Sequence, residues 1–165
     1  KSYDICDSAA CQVYLGARHE FDSTNRAVKE TQGEMIYYND EIITAYYFSS
    51  SGGWTENNEN VWGGAPRPYL RGVPSPDEQS PYNNWKTGTL TKNQIENILN
   101  RNTKTKVGSL KSIEITKRGV SGRVMSVKIT GSEGEKFVTG YTFKTIVNMG
   151  IQGGDNIKEV LFGIK

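Results

Sequence analysis

All five prolines of the chain (Pro66, Pro68, Pro74, Pro76 and Pro81) fall in one stretch, Ser49 to Trp85. Proline fixes φ and lacks the backbone N–H, so it breaks helices and is confined to the edges of sheets. No long helix or central strand can cross this stretch, and the regular elements must be assembled on either side of it. So long an irregular segment in a compact domain is functional or tied down by its own side chains. Trp54, Trp62, Tyr69, Tyr82 and Trp85 supply the rings for a long ordered aromatic loop.

The flanks carry the periodic signals. Ser23 or Thr24 can cap a short helix running to Thr31, with Gly33 as its stop. Glu34–Tyr38 and Glu41–Phe48 read as strands around the turn pair Asn39-Asp40. Beyond the loop, Thr91-Lys92-Asn93-Gln94 is a capping box ahead of the helical stripe Ile95, Ile98 and Leu99. Ile113 and Ile115, then Met125, Val127 and Ile129, alternate with polar residues as a hairpin over residues 110–130. Phe137-Val138 reads as a third strand, residues 142–148 as a helix, and Glu159 to Ile164 as a closing strand. The fold class is α+β, with mixed or antiparallel strands and a few short helices. At 165 residues this is one domain. A soft boundary near residue 86 separates a motif-bearing part, 1–85, from a helix-and-hairpin support, 86–165.

Charge divides at nearly the same place. Residues 1–82 carry 6 Lys and Arg against 12 Asp and Glu, while residues 83–165 carry 14 against 6. Of the 17 aromatic residues, 13 lie at or before Trp85. The basic residues are spread out, with no run longer than Lys117-Arg118, so they read as a solvated face and not as a nucleic-acid site. The longest stretch without a charged side chain, Ile42 to Thr55, is 14 residues. A membrane-crossing helix needs about 20 mostly apolar residues. The opening Lys1-Ser2-Tyr3 shows neither an initiator Met nor an apolar leader, and the chain reads as a piece of something longer.

Much chemistry is excluded by count. His19 is the single histidine, so multi-histidine zinc sites cannot be built, and nothing local orients it for a Ser/His/Asp triad. There is no dinucleotide fingerprint and no P-loop. Cys6 and Cys11, in Cys-Asp-Ser-Ala-Ala-Cys, can close a disulfide, remain free thiols or hold two corners of a metal site. The densest motif runs from Ala45 to Glu56, where a strand gives way to Ser49-Ser50-Ser51-Gly52-Gly53-Trp54-Thr55. Glycines admit close backbone approach, the hydroxyls suit sugar oxygens, and Tyr47 and Trp54 can stack on a pyranose face. A glycine-softened surface loop is the rival reading, and Ser51 as a hydrolase nucleophile is a third. Glu56 and Glu59, the nearest acids, read as solvated.

Taken in order, several blocks resemble one family. They are Asp4-Ile5-Cys6-Asp7, Cys11-Gln12-Val13-Tyr14, Ala27-Val28 with Glu30-Thr31 and Gly33, and the Tyr47-to-Glu56 motif. Val61-Trp62-Gly63, Tyr69-Leu70-Arg71-Gly72-Val73 and Ser80-Pro81-Tyr82 with Trp85 continue it. Over residues 3–85 densely, and over 86–165 loosely, the chain resembles the stage II sporulation protein D family, which includes amidase-enhancer relatives.

That resemblance implies an extracytoplasmic bacterial cell-wall enzyme, a lytic transglycosylase cleaving MurNAc–GlcNAc bonds of peptide-stripped glycan during engulfment. The parent would be membrane-anchored or secreted. Glycan strands, a sporulation amidase/endopeptidase and a membrane scaffold protein are the implied partners, with no nucleic acid. The chemistry would be protonation of the leaving glycosidic oxygen by a carboxylic acid, with the sugar's own 6-hydroxyl attacking. No residue of 1–165 matches the family's catalytic Glu, which lies in a helical segment before the cysteine region. By position, Tyr14 and Tyr47 match cleft-lining aromatics in a supporting catalytic role. Gln12, Ser51, Gly52, Gly53, Trp54 and Thr55 would bind substrate. Cys6 and Cys11 would hold a structural zinc or form a disulfide, and Ala10 stands where relatives often place a histidine ligand. No cofactor is required for the reaction. The alternative function is a non-catalytic glycan-binding or amidase-enhancer module.

Overall fold

Two residues with positive φ, Asn39 (50°) and Asp40 (62°), turn the first hairpin. They are the residue types that tolerate the left-handed region, and two in succession make the turn whose twist matches paired strands. The computed structural model describes residues 6, 8, 13–48, 50–77, 79–80, 87–151 and 156–164. These fall into two compact units, Lys1–Ala45 and Tyr46–Lys165.

In the first unit a single 3-10 turn, Ala17–His19, precedes helix α1, Asp22–Glu30, and the hairpin of β1 (Tyr37–Tyr38) and β2 (Glu41–Ile42). The helix starts ahead of the expected cap. Asp22 puts its charge at the N-terminus, and the Thr24 hydroxyl donates back to the Phe21 carbonyl at 2.8 Å. Gly33, at φ 82°, ends the turn after the helix as expected. The second strand stops well short of Phe48. The Ile43 N–H donates to the Ile36 carbonyl at 3.0 Å. The preceding chain is already turning through Thr31–Gly33, so the hairpin offers no partner further on.

The second unit has its core in a three-stranded antiparallel sheet of β5 (Leu110–Arg118), β6 (Val124–Gly131) and β7 (Gly134–Val138), in sequential order. Helices α3 (Lys92–Asn100) and α4 (Gly140–Gly150) pack with it, so that Leu99, Val127, Ile129, Phe143 and Val147 share one buried cluster. (The helix between α1 and α3, called α2, belongs to the long loop.) The capping box at Thr91 and Gln94 forms as read, and Thr139 caps α4 by accepting from the Thr142 N–H. Gly140 is required by packing: a Cβ there would collide with the Val124 carbonyl of β6.

The central strand departs from simple alternation. Register shifts on β5 between Ile115 and Lys117 and between Lys117 and Arg118 mark bulges in the β5–β6 pairing. A bulge changes which face later residues occupy. Val127 and Ile129 are buried as expected, but at the start of the strand Val124 is buried and Met125 is left half-exposed.

The closing strand expected at 159–164 does not form. A Val124 N–H bond to the Val160 carbonyl (2.9 Å) and the Arg118 Nη2 bond to the Phe162 carbonyl (2.9 Å) hold this segment, and Phe162 stacks on Phe143. The long loop is more regular than its prolines suggest. It contains β3 (Gly53–Trp54), α2 (Asn58–Trp62) and β4 (Pro74–Ser75), with β3 and β4 paired antiparallel.

Candidate functional site

The turn leading into β3 is held by charge from both sides. Asp77 Oδ2 accepts from the Ser50 hydroxyl (2.5 Å) and from the N–H groups of Ser51 (2.6 Å) and Gly52 (2.9 Å). Gly52 and Gly53, at φ 67° and 95°, allow successive N–H groups to converge on that carboxylate. The Ser50 hydrogen bond leads in holding the Asp77 carboxyl below its usual range; burial opposes it, and the backbone N–H groups add to it. On the carbonyl side stands Arg123, the residue just before β6, its side chain only 11% exposed. Its Nη1 donates to the Trp54 carbonyl (2.9 Å), its Nη2 to the Ser51 carbonyl (2.8 Å), and its Nε lies 3.7 Å from Glu159.

Further into the loop the acids read as solvated prove to be anchors. Glu56 accepts from the Asn57 N–H, the Asn60 amide, the Val120 and Ser121 N–H groups and the Ser121 hydroxyl. Burial works against its charge, but the hydrogen bonds from Ser121, Asn60 and Asn57 together outweigh it and hold its carboxyl below the ordinary value. Glu59 takes a bidentate bond from Arg71, which likewise lowers its pKa. Arg71 also donates to Asn58, a buried side chain whose amide in turn donates to the Ala65 carbonyl. These bonds are the tie-down that so long a loop requires.

Between the clamped turn, α2, β6 and the start of α4 lies a cavity of about 410 Å³. Tyr46, Tyr47, Phe48, Trp62 and Tyr141 give it aromatic walls, and Arg123, Lys144 and Glu159 give it charge. Tyr46 stacks on Trp62 with ring centroids 4.2 Å apart. Lys144 lies over the Tyr141 ring at 5.4 Å and donates to the Lys158 carbonyl. Ring faces interleaved with fixed donors and acceptors suit a polar ligand with flat apolar faces, the chemistry of a sugar chain. Proton donation is another matter. Glu56, Glu59 and Asp77 are all held ionised as acceptors, which is the wrong state for a general acid near neutral pH.

Residues 1–38 match the sequence model of the family described as SpoIID, stage II sporulation protein. Over 92 residues, 56% of the chain, it is 40% identical to the amidase enhancer of Bacillus subtilis (strain 168), covering 12% of that protein. Over 70 residues, 41% of the chain, it is 47% identical to stage II sporulation protein D of the same organism, covering 20% of it. Over these stretches the chain resembles the SpoIID family. A third relative, an uncharacterized protein of Brachyspira hyodysenteriae, is 30% identical over 146 residues, 88% of this chain and 38% of that protein. The chain thus spans well under half the length of these curated relatives.

Of the residues expected at the site, Tyr47, Ser51 and Thr55 line the cavity. Tyr47 is its most open ring at 78% exposure. Ser51 is 2% exposed and donates its hydroxyl to the Ser75 carbonyl, so it is placed as a packing residue and not as a nucleophile. The Ser51 and Gly52 N–H groups are occupied by Asp77, which leaves the turn's backbone holding its own carboxylate. Thr55 bridges to Val73, the residue just before β4, through its N–H and carbonyl. Gly53 and Trp54 form β3, where Trp54 is 40% exposed. Tyr14 belongs to the Lys1–Ala45 unit, exposed in the segment before the 3-10 turn. Gln12 and Cys11, with Tyr82 and Trp85, lie outside the described residues.

Cys6 is disulfide-bonded. A sulfur held in a disulfide offers no thiolate to zinc, so the oxidised donor set does not fit the metal. Among the described residues no group of three His, Cys, Asp or Glu side chains could hold one. Cavity residues that the sequence did not mark as site residues include Tyr46 and Trp62 from the aromatic half and Arg123, Met125, Tyr141, Lys144 and Glu159 from the basic half. Arg123 follows Gly122 at the tip of the predicted hairpin, the one local hint that a side chain there could reach outward.

Proposed function

We propose that the parent protein is an extracytoplasmic cell-wall glycan-cleaving enzyme of the lytic transglycosylase type, to which this chain contributes the glycan-holding wall. The observation that carries the reading is the aromatic cavity of Tyr46, Tyr47, Trp62 and Tyr141, set against acids held ionised by their partners. Sugar rings would stack on the exposed aromatics, Arg123 and Lys144 would orient their oxygens, and the general acid would come from outside this cavity. Tyr47 and Tyr14 would support catalysis by contacting the sugar or positioning that acid. The partners proposed with this function are peptide-stripped glycan strands, an amidase and a membrane scaffold protein. A zinc at Cys6 and Cys11 would belong to a reduced form.

The amidase enhancer among the relatives favours a second reading, in which the same wall grips glycan while a partner cuts it. Tyr47→Phe and Tyr14→Phe in the parent protein separate the two. The enzyme reading expects turnover on peptide-free strands to fall at least tenfold with the thermal midpoint unchanged, the order of effect of a lost positioning hydrogen bond. Full activity in both variants would contradict the roles given to these tyrosines.

A further inference from the structure

The stacked pair Tyr46 and Trp62 has a second side. Beyond the main cavity the same two rings wall a smaller one of about 210 Å³, closed by Gly63, Gly64, Arg67 and Leu70. The pair is therefore a shared partition, and a ligand chain leaving the first cavity would pass over it into the second.

Arg67 is unusually well placed there. Pro66 and Pro68 restrict the backbone on both sides of it. Its N–H donates to the buried Asn58 side chain (2.8 Å), and its carbonyl accepts from Arg71 Nε (2.9 Å). Its Nη1 donates to the Tyr69 hydroxyl at 2.7 Å, which fixes the plane of the guanidinium. No carboxylate pairs with it among the described residues; Glu59, the acid of α2, is taken by Arg71. A guanidinium oriented by a tyrosine hydroxyl, beside two ring faces and open space, keeps further donors in a fork that matches a carboxylate. Gly63 and Gly64 sit at φ 75° and 80° with nothing within 4 Å of where a Cβ would stand, so the floor of the cavity is bare backbone.

We propose that Arg67 forms an anion-recognising subsite for a carboxylate carried beside a ring that stacks on the Tyr46–Trp62 partition. This deepens the glycan-holding reading and rests on it. In wall glycan the carboxylate can be borne by the sugar or by an attached peptide, and the shared chemistry is what Arg67 reads.

Retention of three probes tests it: peptide-free glycan strands with free sugar carboxylates, the same strands with those carboxylates methylamidated, and strands carrying their peptides. Wild-type chain should bind at least one carboxylate-bearing probe about tenfold more tightly than the amidated strands, and added salt should narrow that gap. Arg67→Gln should abolish the gap while lowering affinity for amidated strands no more than about twofold, and Arg67→Lys should restore part of it. An equal affinity of wild type for all probes, or a gap that survives Arg67→Gln, would overturn the subsite while leaving the glycan-holding reading intact. Failure of wild type to bind any of the three would overturn both. Loss of the Arg67–Tyr69 hydrogen bond alone is controlled with Tyr69→Phe, which should weaken the preference only partly and leave the thermal midpoint unchanged.

Discussion

Replacing Arg123 with methionine should cost the second unit about 3 kcal/mol. The side chain is 11% exposed and makes two charge-assisted hydrogen bonds, to the Ser51 carbonyl at 2.8 Å and the Trp54 carbonyl at 2.9 Å. Such bonds contribute about 1.5–3 kcal/mol each, and an acceptor left buried without a partner adds its desolvation penalty. Methionine keeps much of the apolar stem, and the turn can loosen to admit water, so the low end of the sum applies. Arg123→Lys should fall between wild type and Arg123→Met, because an ammonium keeps the charge but not the fork that serves two carbonyls at once. Urea unfolding followed by tryptophan fluorescence measures both variants, with Trp54 and Trp62 reporting on the loop. A loss under about 0.5 kcal/mol for Arg123→Met, the scatter of an ordinary surface change, would refute the idea that Arg123 clamps the turn. So would equal losses for the lysine and methionine variants.

Other expectations follow from the same contacts. Glu56→Gln should lower stability at pH 7, with the difference from wild type shrinking in acid. The folded carboxyl lies below its ordinary 4.5, so its contribution is full above that value and is lost as pH falls through the lower folded value. A difference that grew as pH fell would contradict this sign. Gly140→Ala should cost about 1–3 kcal/mol by pushing α4 off the Val124 carbonyl, while Gly134→Ala, facing open space at φ 113°, should act through backbone strain alone. Differential scanning calorimetry ranks the pair. Protein isolated without reductant should show no alkylatable thiol and less than stoichiometric zinc, since Cys6 is disulfide-bonded. Two free thiols with one zinc per chain would reverse that assignment.

The parts of the fold that were legible in the sequence are those with local causes. Asn39-Asp40 turns a hairpin through its own backbone preferences, Thr91 and Gln94 cap α3 reciprocally, and Ile113, Ile115, Val127 and Ile129 alternate into a buried sheet face. What escaped has distant causes. The β3–β4 pair joins Trp54 to Pro74 across the loop, and a strand two residues long leaves no periodicity. Glu56 looked solvated because its donors Val120 and Ser121 are remote in sequence. At the cavity, aromatic density pointed to Tyr47, which lines it, but apart from Glu56 the charged lining residues come from the basic half. Arg123 and Glu159 reach it only once β6 and the C-terminal segment are in place, and Met125 only because bulges shift the face of the strand.

Under the proposed function this chain holds wall glycan without itself supplying the acid that cuts it. The direct measurement is incubation of the purified chain with peptide-free glycan strands, followed by mass spectrometry of the soluble sugars and assay of strand retention. Retention that weakens severalfold on Tyr47→Ala or Trp62→Ala, with no anhydro-ended fragments released, is the predicted result. Anhydro-ended fragments produced by the chain alone, or no retention of strands at all, would contradict it.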